Sequence, residues 1–423
     1  MSFRGILALV LLLAATGAER LSYYGARSFL AFEMYRSEGM TVAAAGTALT
    51  AMSFVMLVAT FAGAGLALGM GPRLTAAVGA LIAALGPFLL AFDAPVLLGF
   101  GLTSAGAGIF RVGPFVAAAE VLGTTAAPDA RSSAPHPQRF VAMTAFAAAA
   151  SVAANLGSFL AAPIAGSLLY ERGGRVAATV GTGAVAVVAA VLAGAAALLG
   201  MLELRDRPMA PPRDPYREAA PPTSVSPDAK PSMLPLAGAA VLAVLLGVFD
   251  VGLAMAGPAP SVDVSSKDYA WLYGMSSAVA LIGCMITAGA FLIGALVQTS
   301  LPPLPVFGAG LALAGVGFFV QAVGGEEIAL LGAGMAMTAL GDAVLPIAIA
   351  YVALAVRGRV SGLVLAGWFC VASVASMIGA PLGHTPLRTP LLAVIALACL
   401  IAGAATAVLG RTFHRAWFDP QTR

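Results

Sequence analysis

The chain has 423 residues, 60% hydrophobic and 10% charged, with 22 basic residues against 19 acidic ones. Soluble domains carry roughly 25% charged residues, so this composition, with a mean hydropathy of +0.96, excludes a soluble domain and points to an all-α protein that crosses a membrane many times. The 49 glycines and the heavy use of alanine suit helices packed closely in lipid, where small residues rather than a hydrophobic drive bring backbones together.

Other classes fall away on residue chemistry. The basic residues are scattered over loops, with no basic patch interleaved with aromatics, so nucleic-acid binding is set aside despite a net charge of +3. Cys284, Cys370 and Cys399 all lie in apolar segments without CxxC or Cys/His ligand spacing, so no disulfide framework, metal site or cofactor is expected. The chain has no Gly-x-x-x-x-Gly-Lys-Ser/Thr cradle, which argues against an ATP-driven pump, and no enzymatic activity is expected.

In chain order, the first apolar run spans 5–32, follows Arg4, and continues past charged residues without a cleavage site, so it reads as a membrane helix rather than a signal peptide. It places Glu19, Arg20 and Arg27 at bilayer depth. An ionisable side chain there costs on the order of 3 kcal/mol on insertion scales and normally faces a partner or a watery cavity. At helical spacing Arg20, Tyr24 and Arg27 share one face, and Glu19 and Tyr23 a neighbouring one. Runs at 43–68, 74–91, 96–121, 140–169 and 176–203 complete six spans. Residues 204–233, with MAPPRDP and AAPPTSVSPDAKP, are too polar and proline-rich to pack and read as a solvated linker. Six further runs follow at 234–257, 269–298, 304–323, 328–355, 360–382 and 389–410. The expected organisation is therefore a first six-helix half (1–203), a cytoplasmic linker (204–233), and a second six-helix half with a short cytoplasmic tail (234–423).

Orientation follows from the Lys and Arg distribution. A cytoplasmic N-terminus puts Arg4, Arg73, Arg131, Arg139, Arg205, Arg207, Arg213, Arg217, Lys230, Arg357, Arg359, Arg411, Arg415 and Arg423 inside, and only Arg36, Arg172, Arg175, Lys267 and Arg388 in outer loops. Arg20, Arg27 and Arg111 are left within helices. The expectation is a multi-pass protein of the inner (plasma) membrane with both termini cytoplasmic.

Two six-helix halves joined by a cytoplasmic linker resemble the architecture of the major facilitator superfamily, whose site lies near the midplane between the halves. The superfamily turn after the second helix is reduced here to GAGLALGMGPR, with Leu68 where an Asp is usual and Arg73 kept. ERLSYYGAR, with Glu19, Arg20, Tyr23, Tyr24, Gly25 and Arg27, resembles the ExxERFxYYG signature of the proton-dependent oligopeptide transporter family. NLGSFLAAPIAGSL from Asn155 is similar to that family's fifth-helix motif. GAGIFRVGPF is similar to its fourth-helix pattern, with Arg111 in place of a Lys. The second half matches more loosely. Phe249 and Asp250 resemble the acid-bearing seventh helix, with Val251 for a usual Gln. LGDAVLPIAIAYVALAV followed by GLVLAGWF resembles the tenth and eleventh, with Asp342 for a Glu, one residue nearer Pro346 than the pattern has it, and Trp368 and Phe369 as the aromatic pair. Two departures stand out: Thr16 replaces the first Glu of the signature, and Ser276 falls where the eighth-helix Asn is expected.

The resemblance implies proton-coupled symport of di- or tripeptides or peptide-like solutes by alternating access, with lipids and protons as the other partners. It implies substrate contacts from Arg20, Tyr24, Arg27, Arg111, Asn155, Asp250, Asp342, Trp368 and Phe369, and proton coupling through Glu19 and Asp342. The residues support the same chemistry by themselves. A zwitterion needs guanidinium forks for its carboxylate and an acid for its amine, and the halves supply one of each kind, while Tyr24, Trp368 and Phe369 offer adaptable apolar walls. His136, His384 and His414 lie in or beside loops, so a proton carrier must be a carboxylate. The same charges also fit static ion pairs that lock helices. An exporter or uniporter of other anionic or zwitterionic solutes, and a non-transporting sensor or partner-binding membrane protein, stay open as alternatives. The Gly-x-x-x-Gly spacings such as Gly310 to Gly317 read as packing seams, and Glu33 and Glu120 as interfacial.

Overall fold

A computed structural model describes residues 3–36, 39, 42–123, 137–170, 174–205, 234–256, 266–297, 302–324, 327–356, 360–383 and 385–418. These form thirteen helices: α1 (Phe3–Arg36), α2 (Val42–Met70), α3 (Pro72–Ala91), α4 (Val96–Gly123), α5 (Pro137–Tyr170), α6 (Gly174–Arg205), α7 (Leu234–Met255), α8 (Ser266–Val297), α9 (Pro303–Val323), α10 (Ile328–Asp342), α11 (Leu345–Leu354), α12 (Ser361–Leu382) and α13 (Arg388–Phe418). Twelve stretches of these are long and apolar enough to span a membrane, α10 and α11 together making one of them. The linker from residue 206 onward, and with it Arg207, Arg213, Arg217 and Lys230, lies outside the described residues.

Proline chemistry sets several boundaries. Pro72 and Pro303 sit in the first turns of α3 and α9, where a missing N–H costs nothing. Pro346 has the opposite effect. It lacks the N–H that would bond the carbonyl of Asp342 four residues back, and its ring crowds that carbonyl. The tenth span breaks there: the Ala343 N–H makes an α-type bond to the Ala339 carbonyl, the Val344 N–H closes a 3₁₀-type turn onto the Gly341 carbonyl, and α11 restarts at Leu345. The sequence reading of one span over 328–355 is matched by the span Ile328–Leu354, which is built of two helices rather than one, and the break falls beside a candidate site acid.

In the first half α1 packs on α5 and α6, α3 on α4 and α6, and α2 on α4. In the second, α7 packs on α12 and α13, α9 on α10 and α13, and α8 on α10. The halves meet where α5 lies on α8 and α2 on α12, and additionally where α11 and α12 reach α4 and α5. Close approach relies on missing side chains. A Cβ at Gly157 of α5 would stand 2.5 Å from the Gly17 carbonyl of α1, and one at Gly317 of α9 would stand 2.7 Å from the Gly334 carbonyl of α10, both inside contact distance. Gly317 bears out the packing reading of that small-residue run.

Polar residues off the midplane tie helices together. Ser22 of α1 donates to the Thr182 carbonyl of α6 at 2.8 Å. Arg73 donates to the Ala196 carbonyl at 3.4 Å and lies within electrostatic reach of Glu120 and Glu203, so the arginine that follows α2 serves as a clamp within the first half. Arg388, assigned to an outer loop by charge counting, is the first residue of α13. It is 3% exposed, with Nε donating to the Met255 carbonyl at the end of α7 at 3.2 Å.

A continuous apolar core runs through both halves, and one end of the molecule is closed by its members Leu9, Ala64, Val116, Phe140 and Met143 from the first and Ile347, Tyr351 and Leu365 from the second. Phe140 and Tyr351 stack across the halves at 4.3 Å between ring centroids. This is the end from which α1 starts, so Glu19 and Arg20 lie about 15 Å along the helix from Leu9 at 1.5 Å per residue, and Arg27 lies a further two turns away.

Candidate functional site

The middle of α1 carries the first charges. Glu19 is 1% exposed, and the Arg20 Nε approaches its Oε2 to 3.1 Å. Neither carboxylate oxygen has a hydrogen-bond partner among the described residues, so the pair is close but poorly aligned, as expected for side chains at i and i+1, which diverge on a helix. Tyr24, one turn on, hydrogen-bonds Arg20. The guanidinium also lies 5.8 Å from the Tyr23 ring centroid, and Tyr23 packs in turn on Tyr24 and on Phe100 of α4.

Arg111 enters from α4 and is half-buried. Its guanidinium carbon stands 4.1 Å from the ring centroid of Phe369 on α12, a cation–π contact between the halves. It lies within electrostatic reach of Arg20, Tyr24 and Glu19 of the first half and of Asp250 of the second. Asp250, on α7, is 9% exposed with Oδ2 unpartnered among the described residues, and it senses Asp342 as well as Arg111. Asp342 is the half-buried last residue of α10, at the helix break. Three carboxyls, Glu19, Asp250 and Asp342, thus share one buried level with two guanidiniums, Arg20 and Arg111. Charges buried in this way need compensation, and here three acids face two arginines.

Asn155 sits on α5 where it crosses α8. Its Nδ2 donates to the Ser151 carbonyl at 3.0 Å and reaches the Cys284 sulfur at 3.5 Å, and Cys284 also senses Asp342. Trp368 and Phe369 are both buried, their rings edge-on at 5.6 Å, and the Trp368 Nε1 has no partner among the described residues. A shallow niche of about 200 Å³ beside Trp368, lined by Leu236, Ala239, Ala243 and Val352, contains no charged group and is separate from this cluster.

Of the residues singled out from the sequence, Glu19, Arg20, Tyr24, Arg111, Asp250, Asp342 and Phe369 form one connected group, with Asn155 joined through Cys284 and Trp368 through Phe369. Arg27 stands apart. It is exposed, and the described neighbour that senses it is Tyr23. Thr16 is buried, with its hydroxyl donating to the Leu12 carbonyl at 2.8 Å, so the position that carries an acid in the resembling signature is spent here on the helix itself. Ser276 is half-buried on α8. Sequence reasoning missed Cys284, because a cysteine in an apolar run gives no signal. It also missed Phe115, one turn from Arg111 on the same face of α4, whose ring lies 5.9 Å from that of Phe369. The i, i+4 spacing of Arg111 and Phe115 was the available clue.

No protein-family model matches the chain, and no curated protein sequence matches it. Among solved structures, the crystal structure of a peptide transporter, POT, a point mutant in complex with sulfate, superposes with a TM-score of 0.58 over 96% of this chain and 95% of that one, at 17% identity. Likeness at that identity establishes the fold, a major facilitator fold of two six-helix halves.

Proposed function

We propose that the protein is a secondary active transporter that moves di- or tripeptides, or peptide-like zwitterions, together with protons across the inner membrane. The observation that carries this reading is that Arg111 of one half and Asp250 of the other, a cation and a buried acid, lie within electrostatic reach of each other. The substrate carboxylate binds the Arg20 and Arg111 guanidiniums, which accept it as a planar fork. The substrate amine binds Asp250 and Asp342, and its side chains lie against Tyr24, Phe369 and Trp368. Asn155 supports the cavity wall, and Arg27 meets anionic groups on the approach. Glu19 and Asp342 carry the coupling proton. A solved structure that shares the fold is a peptide transporter in complex with sulfate, an oxyanion, which agrees with a carboxylate site. Rocking of the halves about this level exposes it to each side in turn.

A second reading has its own support. With Thr16 bonded to its own helix and Arg111 unable to release a proton as a lysine does, the first half holds one acid, Glu19, for coupling, and a uniporter or exporter of zwitterions needs no more. Labelled dialanine in proteoliposomes separates the two. Symport requires uptake above equilibrium when a proton gradient is imposed. Saturable uptake that only equilibrates supports uniport, and no saturable uptake refutes the peptide reading.

A further inference from the structure

We infer that the Arg111–Phe369 contact is a latch that holds the Phe140–Tyr351 end closed while the site lacks an anion, and that an arriving carboxylate releases it. Phe369, on the second half, is 4% exposed. It is gripped by two residues of α4 one turn apart, Arg111 at 4.1 Å and Phe115 at 5.9 Å between ring centroids. Phe115 continues into Phe146 of α5 at 6.2 Å, and Phe369 into Trp368. The next layer toward the closed end is Phe140 on Tyr351. Phe115, Phe146, Phe369, Phe140 and Tyr351 all belong to one continuous buried core that spans the two halves, and the cation–π contact at its edge joins that core to a side chain of the charge cluster.

The latch and the site compete for one guanidinium. A ring face attracts it through its quadrupole, whereas a carboxylate offers a bidentate, charge-assisted pair that is markedly stronger. A substrate carboxylate placed between Arg20 and Arg111 draws the guanidinium off Phe369 and leaves the Phe115–Phe369 packing as the remaining tie at that level. Closure is thereby coupled to an empty site without any added hinge. The release step rests on the carboxylate role proposed for Arg111; the latch itself does not.

The test is hydrogen exchange of the full chain in lipid nanodiscs, read at residues 140–147 and 347–353, for Arg111→Gln, Phe369→Leu and the double variant. If one contact links the two residues, each single change speeds exchange there by roughly 2- to 30-fold, the span expected for a cation–π pair, the double variant is no faster than the faster single, and Phe369→Tyr stays at the wild-type rate. Exchange at the α9–α13 packing serves as the folding control, and Phe369→Met replaces Phe369→Leu if that control loosens. Additive effects, or loosening by the Phe369 changes with none from Arg111→Gln, overturn the latch. Dialanine added to the wild type should speed exchange at the same segments. Coupled variants without any dialanine binding would refute the peptide reading and leave the latch standing, whereas uncoupled variants in a protein that binds dialanine would refute the latch alone.

Discussion

Glu19 and Arg111 have opposite relations to their surroundings, and that separates what each can do. Arg111 is engaged on every side: by the Phe369 ring, and electrostatically by Asp250 and Glu19. Removing it leaves the buried Asp250 without the cation within its electrostatic reach, and truncating one partner of a desolvated pair costs about 2–5 kcal/mol. Arg111→Ala should therefore weaken dialanine binding by roughly two decades or more. A C-terminally amidated analogue, which presents no carboxylate, should lose little, and equal losses for both ligands would rule out the carboxylate role. Glu19 has a cation at 3.1 Å yet no hydrogen bond among the described residues, the condition of a group that can change partners. Glu19→Gln should abolish gradient-driven accumulation while peptide exchange at equal concentrations persists, and accumulation that survives would place the proton elsewhere. The charged residues of this group were legible in the sequence because an ionisable side chain in an apolar run has no bland surface reading. Cys284 and Phe115 were not, since their types are ordinary in a membrane helix and only tertiary neighbours distinguish them.

At the scale of elements, hydropathy alone placed the twelve spans closely, because each must satisfy its own backbone in lipid and cross about the same thickness. The break in the tenth span was less visible. Pro346 announces that a hydrogen bond is missing, but prolines at 87, 114 and 163 stand inside unbroken helices, so the residue type does not decide between a kink and a break. The neighbours decide it, and here the break places Asp342 at a helix end within electrostatic reach of Asp250 and Cys284. Helix seams are the other determinant of site geometry. Gly157 lets α5, which bears Asn155, lie directly on the Gly17 backbone of α1, two residues from Glu19. Gly157→Leu would force the two helices apart, with a cost of at least the 1–3 kcal/mol typical of overpacking. It should lower the thermal unfolding temperature and impair dialanine binding together. Gly65→Leu, where an added Cβ meets nothing within 4 Å, should do neither, and a Gly157 variant with wild-type stability and binding would mean that the seam has slack.

The two ends of the molecule differ, although its halves are matched in the number of candidate spans among the described residues. Leu9, Phe140 and Tyr351 lie in the closed core at one end, whereas Arg27, two turns beyond Arg20 on α1, is exposed. From the arginine and lysine distribution we propose that the closed end, and with it both termini, faces the cytoplasm. The two arguments are independent, one resting on packing and the other on charge, and they make a joint prediction about access. An Arg27→Cys variant, with the wild type as background for Cys370, should react with a membrane-impermeant thiol reagent added outside intact cells, and dialanine should slow that reaction. Phe140→Cys should stay unreactive from the same side. An Arg27→Cys variant that reacts only after the cells are opened, together with reporter fusions after Arg217 and at Arg423 that read as external, would invert the topology. Labelling of both positions from outside would instead contradict a closed end. Protection by dialanine adds a further constraint, because Arg27 lies about 10 Å from Arg20 along the helix. A small peptide seated between Arg20 and Asp342 shields Arg27 only if it enters along that face or draws the halves together above it, so protection without direct contact is evidence that the halves rock.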